Sequence, residues 1–351
     1  MENISKQNRW DASNVMGSKA LFNIVTGART FGKTYAMKKI MVKRYIKRGE
    51  TSTLTRYFDS NIKTMCEEGN YFGDIMLNNE FPGWIVRNNG RRFEISREPK
   101  AGCKPKWEQF GMFSTLTDTE GRKGKTPAKM TLMVFDEFIK ERNIPPYPSN
   151  TVDLFYNLYE SFDRRRNQVR VVLLGNTADV VNPFFRAWHI TPIAKGSSRY
   201  FKVGNQYVYY ENAYNPAFEQ ESLNTYLGGI TVNSSYGRYA TQNEFKNETG
   251  IFIGRKSNAA VCSWCFVWNG QKFAVWNDMF AGKLFVNGRP GGDYPEIVLS
   301  KKDMGANQIL IKKTSPVMRK LIRAYSFGDL LFDNDQRRES FLEILSWCGV
   351  R

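Results

Sequence analysis

The run Gly27-Ala28-Arg29-Thr30-Phe31-Gly32-Lys33-Thr34 matches G-x-x-x-x-G-K-[ST] at every fixed position. Each residue type has a chemical reason. Glycines let backbone N–H groups wrap phosphate oxygens, the lysine reaches the terminal phosphates, and the threonine hydroxyl ligates magnesium. A glycine-bearing turn ahead of a basic helix is the plainer alternative. The flanks favour a phosphate cradle: the apolar run ALFNIV precedes it, and apolar residues at helical spacing (Met37, Ile40, Met41, Tyr45) follow it. A magnesium ion held there needs a carboxylate as well. The pair Asp136-Glu137 closes the apolar run TLMVF, with Asp136 placed to hold the metal and Glu137 to polarise an attacking water. Such a pair can also cap a helix, but behind a strand downstream of a phosphate loop the catalytic reading is the better one.

Other residues could complete the chemistry. Asn176 ends the buried run VVLLGN, where its amide could sense the γ-phosphate or simply close a strand. Arg164, Arg165 and Arg166 follow the amphipathic stretch VDLFYNLYESFD. One of them could act as an arginine finger, though arginines at a helix end more often stay solvated or pair with the last carbonyls. The run EGRKGKTPAK places Arg122, Lys123 and Lys125 in a basic loop just ahead of the acidic strand. Lys63, Lys100, Lys104 and Lys106 are candidates for contacts to DNA phosphates, which would be non-specific and salt-sensitive.

These residues need a frame. Strand, loop, helix and strand succeed one another through residues 20 to 56, the order of an α/β domain with a mostly parallel sheet. Three apolar strands ending in glycine or polar residues would place a site at the carboxyl edge of one sheet. WIVRNNGRRFEISR reads as a hairpin turned at Asn89-Gly90, and KAGCKPKWEQF as a loop. We expect an ATPase domain over 1–197 and a linker or lid over 198–249, where tyrosine, asparagine and glycine dominate. A smaller α+β domain is expected over 250–351, with hairpins turned at Asn269-Gly270, Ala281-Gly282 and Asn287-Gly288 and two helices after them.

Composition limits the partners. Lysine and arginine total 51 against 34 acidic residues, a net charge of +17 that points to a polyanion. The single histidine, His189, leaves no room for a serine-histidine-aspartate triad or a histidine-rich metal site. Cys262 and Cys265 form a CxxC without a second pair, so buried thiols are the expected reading. No membrane-length apolar run and no secretory leader pattern are present, which predicts a soluble chain in the cytosol.

In that order, GARTFGKTYAMK, VFDEFI, the NL…RRR…VR stretch, LLGN through VVNPFF and RKLIRAYSFGDLLFDN resemble the DNA-packaging ATPases of small short-tailed bacteriophages of the phi 29 type. The resemblance implies a P-loop ATPase of the additional-strand, catalytic-glutamate kind, using ATP and Mg2+. It implies a homo-oligomeric ring, expected to be a pentamer, on the portal of a procapsid, driving double-stranded DNA inward, with a structural RNA as a further possible partner. Lys33 and Thr34 fall on the phosphate loop, Asp136 on the magnesium aspartate and Glu137 on the catalytic glutamate. Arg164 matches the arginine acting on a neighbouring subunit. Lys123 matches its trans-acting lysine, with Lys125 still open, and Lys63 lies in the DNA-facing segment. The second domain is expected to be RNase H-like without catalytic carboxylates. An active terminase-type nuclease would need acids such as Asp278, Asp293 or Asp303, and a helicase-like ATPase is a further alternative.

Overall fold

The strands expected to be central owe their position to unbroken apolar sequence, because a parallel strand covered on both faces has no solvated side. In the computed structural model, which describes residues 8–67, 69–117, 129–140, 147, 150–177, 182–234, 237, 240, 241, 243, 252–292, 294–301 and 304–348, those runs are buried almost end to end. The chain divides into two compact units, Met1–Lys246 and Asn247–Arg351.

The first unit contains α1 (Ser13–Gly17), β1 (Phe22–Gly27), α2 (Lys33–Arg48), β2 (Thr51–Arg56), α3 (Asp59–Glu67), α4 (Gly73–Leu77), β3 (Trp84–Asn89), β4 (Arg92–Arg97), β5 (Glu108–Thr115) and β6 (Met130–Asp136). It continues with α5 (Thr151–Asp163), β7 (Arg170–Asn176), α6 (Pro183–Ala187), β8 (Ser198–Val203), β9 (Gln206–Ala213), α7 (Pro216–Leu223) and α8 (Tyr226–Thr231). Its nine-stranded sheet has the order β3-β4-β5-β2-β6-β7-β1-β9-β8. The strands from β5 to β9 in that order run parallel, and β3, β4 and β8 are antiparallel additions. β7 lies between β1 and β6, so one additional strand separates the phosphate-loop strand from the acidic strand. Side-chain alternation fills two layers. Val25, Val134, Val172 and Leu174 pack with Met37 and Met41 of α2, while Ile24, Phe135, Val171 and Leu173 pack with Phe155 and Leu158 of α5 and Phe184 of α6.

Several expectations are corrected here. Residues 198–213 are not a linker or lid: β8 and β9 extend the main sheet, with β9 paired to β1. Tyrosine-rich sequence suits strands, and Gly204 with Asn205 forms the two-residue turn of a hairpin. Part of the stretch read as a loop, KAGCKPKWEQF, opens strand β5. Gly111 in β5 is required by packing, since a Cβ there would lie 2.4 Å from the Ser52 carbonyl oxygen. Asn89 pairs with Arg92, so the β3–β4 turn is Gly90-Arg91, one residue later than expected.

The second unit contains β10 (Val261–Trp268), β11 (Gln271–Asp278), β12 (Lys283–Asn287), β13 (Glu296–Val298), β14 (Gln308–Leu310), α9 (Pro316–Ser326), β15 (Leu330–Phe332) and α10 (Asp335–Trp347). The sheet order is β14-β13-β10-β11-β12-β15: an antiparallel meander of β10 to β12, extended by parallel strands on both sides. This meander with parallel β13 and β14 beside its first strand suits the RNase H-like expectation; α9 joins β14 to β15, and α10 follows β15. Phe266, Phe273 and Val286 form its core with Met318 and Leu321 of α9 and Phe341 and Ile344 of α10. Asn287-Gly288 makes no hairpin, because β12 takes β15 as a parallel neighbour. Among the described residues no helix is long and apolar enough to cross a membrane.

Candidate functional site

The phosphate-loop geometry follows from β1 and α2. Gly32 has φ +88°, a left-handed backbone that glycine adopts without strain, and it lets the chain turn directly into α2. The loop is held from both flanks. Trp10 N–H donates to the Phe31 carbonyl at 2.9 Å, Arg29 N–H donates to the Ala240 carbonyl at 3.0 Å, and Phe31 packs on Phe218. Asn243 donates from Nδ2 to the Ala213 carbonyl at 3.0 Å, fixing that segment to the end of β9. Ala28 is buried and Thr30 is exposed. Lys33 is buried, and its Nζ donates to the carbonyls of Gly27 (2.9 Å) and Ala28 (2.7 Å) and to Asn176 Oδ1 (3.2 Å). Burial lowers its pKa to about 7, Asp136 opposing the shift and Arg29 adding to it.

Strand register brings the partners together. Gly27 pairs with Asn176 and Asp136 with Leu174, so β1, β7 and β6 end side by side. A pocket of about 380 Å³ at this carboxyl edge is lined by, among others, Arg29, Lys33, Thr34, Asp136, Glu137 and Asn176. Thr34 Oγ1 lies 3.2 Å from both carboxylate oxygens of Asp136, itself 4% exposed. A hydroxyl and a carboxylate converging at a phosphate loop are the hard oxygen donors that suit magnesium, which draws its remaining ligands from water and phosphate. Among the described residues there is no cluster of three or more His, Cys, Asp or Glu side chains that could hold a metal by themselves.

Sequence reasoning missed Arg56. The register Thr55 to Phe135 sets it beside the acidic pair; its Nη2 donates to Asp136 Oδ2 at 2.8 Å, and its Nη1 is ion-paired with Glu137. Burial alone would lower the Arg56 pKa, but the two carboxylates raise it on balance. The signal was available: a charged residue closes a strand that is otherwise fully buried, in the same sheet.

The three arginines separate by their contacts. Helix α5 ends at Asp163, so they lie beyond it and not in a basic last turn. Arg165 pairs with Glu160, and Arg166 donates to the carbonyls of Phe162 and Asp163, the helix-end role foreseen as the alternative. Arg164 is exposed and in the left-handed conformation; among the described residues its guanidinium has no hydrogen-bond or ion-pair partner. It does not line the phosphate pocket of its own chain. The turn that presents it is tied by Asp163, whose carboxylate accepts from the N–H groups of Asn167, Gln168 and Val169, each at 2.9 Å. Burial would raise this carboxyl's pKa, but the three N–H groups and Arg166 outweigh it and hold it below 3.8. Asp163→Asn is expected to cost about 1–3 kcal/mol of stability in a urea titration at pH 7. Because the folded pKa is depressed, this contribution is present above the unfolded pKa and lost as pH falls through the folded value, so variant and parent should converge in acid.

Lys63 lies exposed on α3, 3.9 Å from Glu67, and Lys104 and Lys106 are exposed on the β4–β5 connection; none lines the phosphate pocket. Lys123, with Arg122 and Lys125, lies outside the described residues, as do Asp293 and Asp303. Asp278 is engaged in a turn, accepting from the Ser257 N–H and hydroxyl and from the Ala281 N–H. Cys262 and Cys265 are buried free thiols.

Residues 5–347 match the family described as Podovirus DNA encapsidation protein (Gp16). The chain belongs to this family. The DNA packaging protein of Bacillus phage B103 is 30% identical over 335 residues, covering 94% of this chain and 98% of the relative. Among solved structures, that of the bacteriophage Phi-29 viral genome packaging motor assembly aligns with a TM-score of 0.74 at 25% identity, covering 97% of this chain and 99% of that one. The N-terminal domain of the DNA packaging ATPase from bacteriophage phi29 aligns with a TM-score of 0.50 at 28% identity, covering 60% of this chain and 98% of that domain. For this member of the encapsidation family, the resemblance seen in GARTFGKT and VFDEFI is therefore one of family.

Proposed function

We propose that this chain is the ATP-hydrolysing subunit of a motor that moves double-stranded DNA into a procapsid. It would work as a homomeric ring, expected to be a pentamer, seated transiently on the portal in the host cytoplasm. The observation that carries the reading is the meeting of Lys33, Thr34, Asp136 and Glu137 in one pocket, with an additional strand between β1 and β6. Family membership supplies the cargo, and the net charge of +17 suits a polyanion.

In this reading the N–H groups of residues 28 to 34 and the Lys33 ammonium bind the phosphates, with Lys33 exchanging loop carbonyls for phosphate oxygens. Thr34 and Asp136 would hold magnesium, which when bound neutralises phosphate charge. Glu137 takes a proton from the attacking water, and Asn176, already bonded to Lys33, reports on the terminal phosphate. Arg164 reaches the nucleotide of the next subunit, and Lys63, Lys104 and Lys106 contact the DNA backbone.

Steady-state ATP hydrolysis with and without duplex DNA, with Glu137→Gln as the blank, tests the proposal. We expect a rate that rises with DNA and vanishes in the variant. No hydrolysis above the blank would remove the catalytic reading. Strand separation of a forked duplex would favour a helicase, and metal-dependent cutting of plasmid DNA a nuclease.

A further inference from the structure

Tyr71, between α3 and α4, carries a hydroxyl that its packing does not use. Its ring joins the aromatic layer beneath α2: Phe113 meets it edge-on with 5.1 Å between centroids, and Phe93 lies stacked at 6.2 Å. Lys38 Nζ sits 3.9 Å from the ring centroid and donates to the Tyr71 carbonyl at 2.5 Å, and the Tyr71 N–H donates to Asn88 Oδ1 at 2.6 Å. Ring and backbone are therefore fixed without the hydroxyl. Phenylalanine would fill this place as well, as Phe72, Phe93 and Phe113 do around it. Yet the hydroxyl oxygen is buried with no hydrogen-bond partner among the described residues, a state that native proteins avoid unless a further ligand satisfies it.

The surroundings of that oxygen lead to the phosphate pocket. Burial, then the Asp136 carboxylate, push the Tyr71 pKa well above 10, with Arg56 opposing and Asp74 adding to the rise. Asp74, in the first turn of α4, lines the pocket together with Thr34 and Asp136. It is held by Lys38, whose Nζ lies 3.1 Å from both of its carboxylate oxygens; the Lys38 side chain is 10% exposed and that of Asp74 43%. Lys38 stands one helical turn beyond Thr34 on α2 and so shares its face. One buried ammonium thus fixes a carboxylate and a phenol to the same wall, beside the two residues that suit magnesium. Magnesium keeps several of its waters in nucleotide sites, and groups that accept from such waters orient the inner ligands.

We propose that Asp74 and the Tyr71 hydroxyl are positioning residues that accept hydrogen bonds from water on the magnesium of the nucleotide complex, with Lys38 holding both against α2. This rests on the nucleotide-hydrolysing reading above.

Tyr71→Phe removes a single oxygen and leaves the ring in place. Because that oxygen has no protein partner, a structural role alone predicts a melting temperature equal to or above the parent's and no change in metal requirement. We expect the melting temperature to hold while the magnesium concentration that half-saturates binding of a fluorescent ADP analogue rises several-fold. Asp74→Asn should raise that concentration by about 10- to 100-fold, the usual cost of losing a partner behind the metal ligands. Asp74→Asn also strips Lys38 of its ion pair; if it does not fold, Lys38→Met combined with Asp74→Asn removes both charges and should show the same rise. Binding of the analogue in EDTA should stay at the parent value throughout. An unchanged magnesium requirement in Tyr71→Phe or in the folded Asp74 variant overturns the proposal alone, as does an equal loss of binding in EDTA, which would put these residues on the nucleotide instead of the metal. Absence of magnesium-dependent binding of the analogue to the parent overturns the nucleotide-hydrolysing reading and this proposal with it.

Discussion

Arg164→Ala is expected to lower DNA-stimulated hydrolysis by about three to five orders of magnitude, the range by which a finger arginine accelerates phosphoryl transfer. Fluorescent-nucleotide binding should change little, since the residue does not line its own chain's pocket. Stability should shift by no more than about 0.5 kcal/mol, as for most exposed side chains without partners. The geometry singles out this arginine: Arg165 is paired with Glu160 and Arg166 is spent on helix-end carbonyls. Alanine at Arg165 therefore serves as a control with a small effect. A finger acting across an interface also makes a distinctive prediction for mixtures. Rings assembled from Glu137→Gln and Arg164→Ala subunits contain some interfaces with both groups intact, so mixed rings should exceed the sum of the separate variants. Rates that never exceed that sum would remove the trans assignment.

Glu137→Gln is expected to lower kcat by about two to four orders of magnitude, the usual worth of a positioned general base. Nucleotide binding should persist, because the cradle, Lys33 and the Thr34–Asp136 pair are untouched. Glutamine is close to isosteric, and Arg56 keeps its bond to Asp136, so the fold should tolerate the change. Single-turnover mixing separates the effect on chemistry from that on product release. A variant that binds nucleotide and hydrolyses it at the parent rate would show that another group activates the water.

What could be read from sequence followed burial. β1, β6 and β7 announce themselves because a strand covered on both faces must be apolar throughout, and their polar ends, Gly27, Asp136 and Asn176, then have one place to go. β2 is equally buried but reads TSTLTR, and its threonines bury hydroxyls that bond across to β5: Thr53 donates to the Met112 carbonyl, and Thr53 and Thr55 both reach the Ser114 hydroxyl. Apolar-run reasoning undervalues such a strand, and with it Arg56. β8 and β9 were obscured in a similar way, because Tyr209 and Tyr210 fill strand positions with aromatic rings while asparagine and glycine suggest a loop. Charge pattern left three arginines as candidates and the resemblance pointed to Arg164; the contacts of Arg165 and Arg166, which no spacing encodes, leave Arg164 as the one of the three whose guanidinium has no partner among the described residues.

The hydrogen bond from Arg29 to Ala240 does more than steady a loop. Ala240 and Asn243 stand a few residues ahead of Asn247, where the second unit begins. The last described residues of the first unit are therefore moored to the phosphate cradle and to the end of β9. A rearrangement of the cradle that breaks the bond at Ala240 casts off one of these moorings while the other, at Asn243, holds.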